Sequence, residues 1–174
     1  MSSGPLQYDG LASRLVKQAL PWAGLVARLV VGAVWIVAGG LKITHLSDSI
    51  HAVQAYRILP SSLAEWVGSG LPAVELVVGL ALVAGVLTRG AGIVSALLLV
   101  VFIVGISSVW ARGIEIDCGC FGGGGADPNA ASAYPWEIAR DLGLLLLSAL
   151  VVRLPRTRLS LDALLFPARP LEGD

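Results

Sequence analysis

Residues 71–110 read LPAVELVVGLALVAGVLTRGAGIVSALLLVVFIVGISSVW, and across this stretch only Glu75 and Arg89 carry charge. Two apolar runs, about Leu71–Leu87 and Ala91–Trp110, meet at a short turn around Arg89. Each has roughly 17–20 residues, or about 26–30 Å of helix at 1.5 Å per residue, which matches a hydrocarbon core near 30 Å. A pair of such runs joined by so short a turn predicts a transmembrane helical hairpin.

Two further runs of the same kind flank the hairpin. One covers 21–41 and opens on Pro21, the other covers 135–152 and opens on Pro135; proline suits a first helical turn, where its missing N–H costs nothing. The fourth run carries Glu137, Arg140 and Asp141 in its first two turns. The expected fold is therefore all-α, a polytopic membrane protein built as a four-transmembrane-helix bundle. Residues 1–20 form an N-terminal segment with an interfacial helix, 21–152 the membrane domain, and 153–174 a C-terminal tail in which Leu159–Phe166 can lie on the membrane. Composition agrees: of 174 residues 56% are hydrophobic and 14% charged, against about 25% charged in soluble domains. The formal net charge is zero, which argues against nucleic acid as a partner and leaves the lipid bilayer as the evident one.

Lysine and arginine set the expected orientation. Arg14, Lys17, Arg89, Arg153, Arg156 and Arg158 fall on one side of a four-span chain, assigned as cytoplasmic, with both termini. Lys42, Arg57, Arg112 and Arg140 are spread over the other. The reading is a multi-pass protein of the cell (plasma) membrane, with no cleavable signal expected at the N-terminus because its apolar run is too long. The outer segment 44–70 holds Ser62-Leu-Ala-Glu65, which has capping-box spacing and predicts a short helix ending at Gly68-Ser-Gly70, before a separate second span whose first helical residue is Pro72. No internal repeat is visible.

The cysteines of the chain, Cys118 and Cys120, lie in the polar loop after the third run, on the extracytoplasmic side of this topology, where disulfides persist. Two trans peptide steps put their Cα atoms about 5.5–7 Å apart, near the upper limit for a bridge, and strained exposed bridges are the exchange-prone ones. A redox-exchanging disulfide, an inert one, two free thiols and half of a metal site all remain open here. Metal is disfavoured because zinc sites use about four ligands and no third cysteine exists, while His45 and His51 do not share a helical face. Gly122–Gly125 reads as a flexible hinge and Asp127-Pro128-Asn129 as a turn.

Ionisable residues near spans are costly, and each needs an account. Arg28 shares a helical face with Gly32, Trp35, Gly39 and Lys42; it either packs there or snorkels to the headgroups. Glu75, three residues after Pro72, is expected in a first helical turn. Lys42, Glu75, Arg140 and Asp141 all fall at the outer end. They can form a cluster beneath the cysteine loop that favours thiolate and moves protons, or stand apart as ordinary interface charges.

Taken in order, Arg28-x₃-Gly32 with Ala38-Gly-Gly-Leu-Lys42-Ile, Tyr56-Arg-Ile-Leu-Pro60, Leu71-Pro-Ala-Val-Glu75-x₃-Gly79 and Asp117-Cys-Gly-Cys-Phe-Gly122 resemble the DoxX-like superfamily, and within it the methylamine-utilisation MauE-type proteins. The resemblance covers roughly residues 24–150. It implies a four-helix membrane bundle associated with thiol redox processes, often beside thioredoxin-like partners, and for some DoxX-like proteins a link to quinone reduction. On it rest two expectations. One is a membrane thiol–disulfide component in which Cys118 and Cys120 exchange with an exported thioredoxin-like protein, electrons passing to or from either a quinone in the bundle or a further thiol partner. The other is a non-enzymatic accessory or maturation subunit of an exported redox protein or membrane complex.

Overall fold

The computed structural model describes residues 8–154. In chain order the elements are α1 (Tyr8–Ile43), α2 (Leu46–Ala55), α3 (Ser61–Ala84), α4 (Thr88–Ala111), the strands β1 (Ile116–Asp117) and β2 (Gly125–Ala126), and α5 (Ala130–Arg153). Three helices among the described residues are long and apolar enough to cross a membrane: Leu20–Ile43 within α1, all of α3 and all of α4. The fifth, α5, is equally long at 24 residues, but its first half carries Glu137, Arg140 and Asp141. Val26, Val37, Val77, Leu97, Val101, Val104 and Leu146 are exposed around the bundle, the apolar outer surface that a bilayer requires.

Three prolines expected to open helices lie inside them. Helix α1 runs continuously from Tyr8 through Pro21, so the interfacial helix expected before residue 21 is the same helix as the first span. Helix α5 begins at Ala130 rather than Pro135, after an Asx turn in which Asp127 Oδ1 accepts from Asn129 N at 2.9 Å. The largest departure is α3. Instead of a short helix that stops at Gly68-Ser-Gly70, one helix passes through both glycines and through Pro72. The capping box at Ser62 is not formed; Pro60 stands at the N-cap with no side-chain cap bond.

Physical reasons for the continuous α3 are local. Pro72 cannot donate to the carbonyl of Gly68 four residues back, which would normally weaken the helix by about 3 kcal/mol. The buried Ser49 of α2 supplies the missing donor, its Oγ 2.7 Å from Gly68 O. Gly68 is needed for closeness: a Cβ there would stand 2.6 Å from Ile50 Cα, so α2 lies directly on α3.

Small residues also bring α1 and α3 together as an antiparallel pair. A Cβ on Gly32 would meet Gly79 O at 3.0 Å, and one on Gly39 would meet Pro72 O at 2.7 Å, while Gly79 in turn abuts Ile36 N at 2.8 Å. The α3–α4 turn closes on Gly85 at φ 72°, with Val86 N bonded to Ala81 O, a Schellman-type end, followed by Leu87 at φ 47°. One core cluster joins Val31 and Trp35 of α1 to Val78 and Leu82 of α3, Leu99 of α4 and Val151 of α5. Within it Trp35 Nε1 donates to Ser95 Oγ at 2.7 Å, and Ser95 lies 2.9 Å from Ser148 Oγ, a polar stitch through α1, α4 and α5. The segments before Tyr8 and after Leu154, including Leu159–Phe166 and the rest of the C-terminal tail, lie outside the described residues.

Candidate functional site

The cysteine loop is a small, pinned hairpin. Ile116 pairs with Ala126 and Asp117 with Gly125, and the cysteines lie in the connection between the strands. Gly122–Gly125, expected as a hinge, all have positive φ, from 84° to 127°, and turn the chain back to complete the ribbon. The tip rests on α2. A Cβ on Gly119 or on Gly124 would stand 2.6 Å from Ala52 Cβ, so side chains at either position would lift the loop off its support.

Two tyrosines tie the loop down. Tyr56, at the end of α2, donates its hydroxyl to Cys118 O at 3.0 Å, and its own carbonyl accepts from Arg112 Nη2 at 2.5 Å. Burial above all, with the cysteine pair adding, pushes the Tyr56 phenol far above its ordinary value, so it remains a donor. Tyr134, in the first turns of α5, accepts from Ile116 N at 3.0 Å and presents its O–H to Ile114 O and Ile116 O at 2.8 and 3.0 Å. Asp117 Oδ1 accepts from Gly119 N at 2.8 Å.

Cys118 and Cys120 stand as free thiols, the first half-buried and the second buried. Cys120 N donates to Cys118 Sγ at 3.3 Å. The surface-exposed pair expected from the loop's polarity is thus drawn inward, because α2 and the two tyrosines close over its backbone. Expected thiolate stabilisation is also reversed: hydrogen bonding to Cys120 first, then burial, then negative charge nearby push the Cys118 thiol well above its ordinary value. The Glu137 carboxyl lies close enough to Cys118 for the two to affect each other's ionisation, and its Oε2 is buried with no hydrogen-bond partner.

The four charged residues form two ion pairs. Lys42 Nζ lies 2.5 Å from Glu75 Oε1, with both side chains buried, at 3% and 0% exposure. Glu75 is therefore not in a first turn exploiting the helix dipole; it sits in mid-α3 opposite Gly39, and Lys42 compensates its charge. Arg140 pairs with its neighbour Asp141 at 2.9 Å and lies over the Phe121 ring, 4.9 Å from its centroid. That contact puts Arg140 at the cysteine hairpin. Arg28, for which snorkelling was open, is buried at 1% exposure on the same face as Gly32, Trp35, Gly39 and Lys42.

Between Lys42 and the cysteines lies an apolar cavity of about 470 Å³. Its wall includes Lys42 of α1, Ala52 of α2, Leu71 of α3, Phe102 of α4, Tyr56 and both cysteines. Sequence reasoning missed Tyr134, named Glu137 only as a charge at the start of the fourth run, and quoted Tyr56 only within a motif. The spacing Tyr134, Glu137, Asp141 was the available signal, since steps of three and four residues share a helix face.

A family model described as methylamine utilisation protein MauE matches residues 20–154. The methylamine utilization protein MauE of Paracoccus denitrificans is 31% identical over 119 residues, which cover 68% of this chain and 62% of that relative's length. No solved structure matches the chain. The chain belongs to the MauE family.

Proposed function

We propose that this MauE-family chain is a membrane thiol–disulfide component whose Cys118–Cys120 pair exchanges with an exported thioredoxin-like protein. The observation that carries the reading is the thiol pair itself: adjacent sulfurs on a pinned hairpin, one half-buried beside the Glu137 carboxyl and the other facing the bundle. Rigid support is what a two-sulfur exchange site needs, because the resolving thiol must reach the attacked sulfur without the loop rearranging. In one direction the partner's disulfide accepts two electrons, the Cys118–Cys120 bond forms, and the protons of both thiols are released. Glu137 is placed to take up the proton of Cys118. The relative's printed name ties that protein to methylamine utilisation; the chemistry proposed here requires only an exported dithiol partner.

The same reading includes the DoxX-like kinship, a fourth span through α5, cytoplasmic termini, and an outward-facing cysteine hairpin in the plasma membrane. Supporting it are the length of α5, the buried face of Tyr134, Asp141, Ser148 and Val151, and the Lys/Arg partition.

One observation favours a second reading, a non-enzymatic accessory or maturation subunit. A thiol pushed well above its ordinary value beside a buried one is a poor nucleophile at neutral pH. The two readings separate in a trapping experiment. With Cys120→Ser, Cys118 should hold an exported partner as a mixed disulfide on non-reducing gels, released by reductant. Full partner function with both single serine variants and no trapped species would favour the accessory subunit.

A further inference from the structure

We infer that the apolar cavity behind the cysteine hairpin holds one acyl chain of an anionic phospholipid, whose phosphate is bound by Arg57 and Arg112. The site goes beyond the thiol-exchange reading and does not depend on it. Three observations carry it.

The first is a lateral opening onto an apolar interior. Val101 and Val104 of α4 line the cavity and are also 63% and 61% exposed on the bundle's apolar outer surface; Ile58 and Val67 line it and are exposed too. A lipid chain therefore reaches the interior without crossing a polar surface. The volume, about 470 Å³, is that of a ligand site. The polar groups in the wall are already served by the protein: Ser49 donates to Gly68 O, Tyr56 to Cys118 O, and Lys42, at the end remote from the cysteines, is paired with Glu75. Such a wall offers nothing to water and loses dispersion contacts when empty, so it selects a hydrocarbon chain.

The second is continuity. Ile58 and Leu59, in the connection between α2 and α3, line this cavity and also a second, open pocket whose other walls are Gln54, Arg57, Pro60 and Ser61. One molecule can lie in both, apolar in the first and polar in the second.

The third is charge. Arg57 and Arg112 meet at Tyr56, which Arg57 follows in the chain and whose carbonyl accepts from Arg112 Nη2. Neither arginine belongs to an ion pair among the described residues. Arg112 gives one bond from Nη2 and one from Nε, to Ser108 O, and a guanidinium carries five N–H donors, so others remain for an anion. Two guanidiniums at the mouth of an apolar cavity complement a headgroup of net negative charge, which arginine engages through paired N–H donors. Trp66 of α3 and Trp110 of α4, both exposed toward this end, mark the headgroup depth. Because Cys118 and Cys120 line the same cavity, the bound chain covers the thiols from the lipid side.

Native mass spectrometry of the full-length protein, delipidated in dodecyl maltoside and titrated with dioleoylphosphatidylglycerol, tests the site. We expect one lipid to bind ahead of the rest, about tenfold or more tighter than dioleoylglycerol, which has the same chains and no phosphate. Arg57→Asn removes the charge and keeps a residue that tolerates the left-handed backbone at φ 52°. It should weaken phosphatidylglycerol about tenfold and leave dioleoylglycerol unchanged. Val101→Phe and, independently, Val104→Phe fill the mouth and should weaken both lipids, whereas Val77→Phe, exposed on α3 and away from the cavity, should weaken neither. In Cys118→Ser protein, added phosphatidylglycerol should slow alkylation of Cys120 by N-ethylmaleimide. Unchanged affinity in Arg57→Asn, or equal losses in Val101→Phe and Val77→Phe, would reduce the binding to annular lipid and overturn the site. Phosphatidylcholine binding as tightly as phosphatidylglycerol would overturn the anionic headgroup. Trapping of an exported partner by Cys118 is read separately, so failure of the lipid site leaves the thiol reading standing, and the reverse.

Discussion

Lys42 Nζ and Glu75 Oε1 meet at 2.5 Å inside the bundle, from helices that Gly32, Gly39 and Gly79 allow into backbone contact. Because Gly39 places α1 against Glu75, the lysine one turn later reaches the carboxylate without leaving the helix axis far behind. The pair couples the α1–α3 interface to the cavity wall.

Removing one partner strands the other. Lys42→Met should destabilise the protein by about 3–5 kcal/mol, and Lys42→Met/Glu75→Leu by much less, since the cost comes from an uncompensated buried charge. Unfolding in mixed micelles of dodecyl maltoside and SDS provides the measurement; equal losses in single and double variants would mean that the pair contributes nothing through charge.

Ser49 and Pro72 should be coupled although they do not need to touch. Ser49→Ala leaves Gly68 O without a donor and should cost about 1–3 kcal/mol. In a Pro72→Ala background the restored backbone N–H serves that carbonyl, so the same Ser49→Ala change should cost less than half as much. An unchanged cost in the two backgrounds would refute the donor substitution.

Gly113 and Gly119 share φ 65°, but only Gly119 faces a neighbour, with a built Cβ 2.6 Å from Ala52 Cβ. Gly113→Ala should cost about 1–2 kcal/mol for the left-handed backbone alone. Gly119→Ala should cost more and accelerate alkylation of Cys120, with partial rescue by Ala52→Gly. Matching effects at the two glycines would mean that α2 does not support the hairpin.

For the pH dependence, the Cys118 thiol is raised above its ordinary 9.0 in the folded protein, so folded protein keeps a proton that unfolded protein loses. Its contribution to stability is fully present below about pH 9 and is lost as pH rises further. Stability of the reduced protein should fall above that pH, less steeply with Cys118→Ser. Iodoacetamide modification of Cys118 should also keep rising past pH 9 without a plateau; a plateau near neutrality would indicate an activated thiolate instead.

Topology can be read from single cysteines in the Cys118→Ser/Cys120→Ser background. Gly90, where a Cβ meets open space, and Ala126, exposed on β2, are suitable sites. An impermeant maleimide applied to intact spheroplasts should label Ala126→Cys and spare Gly90→Cys. The reverse pattern would put the hairpin in the cytoplasm.

The all-helical class, the membrane setting and the inward face of α1 were legible in the residues alone. Apolar run length and helical period are properties of consecutive positions, and a bilayer leaves them few alternatives. Helix ends were not legible. Pro21, Pro72 and Pro135 each satisfy the rules for a helix start, and for Pro72 the deciding group is Ser49, more than twenty residues away and on another helix. The site divides the same way. Cys118 and Cys120 announce themselves by type, and Lys42 and Glu75 by their cost in an apolar setting. Which charges pair, that Tyr56 and Tyr134 hold the hairpin, and that a cavity separates the thiols from Lys42 depend on how five helices close around one another. Charge pairing and cavity shape are settled by distances of a few ångströms between segments remote in the chain, and only the tertiary structure sets those distances.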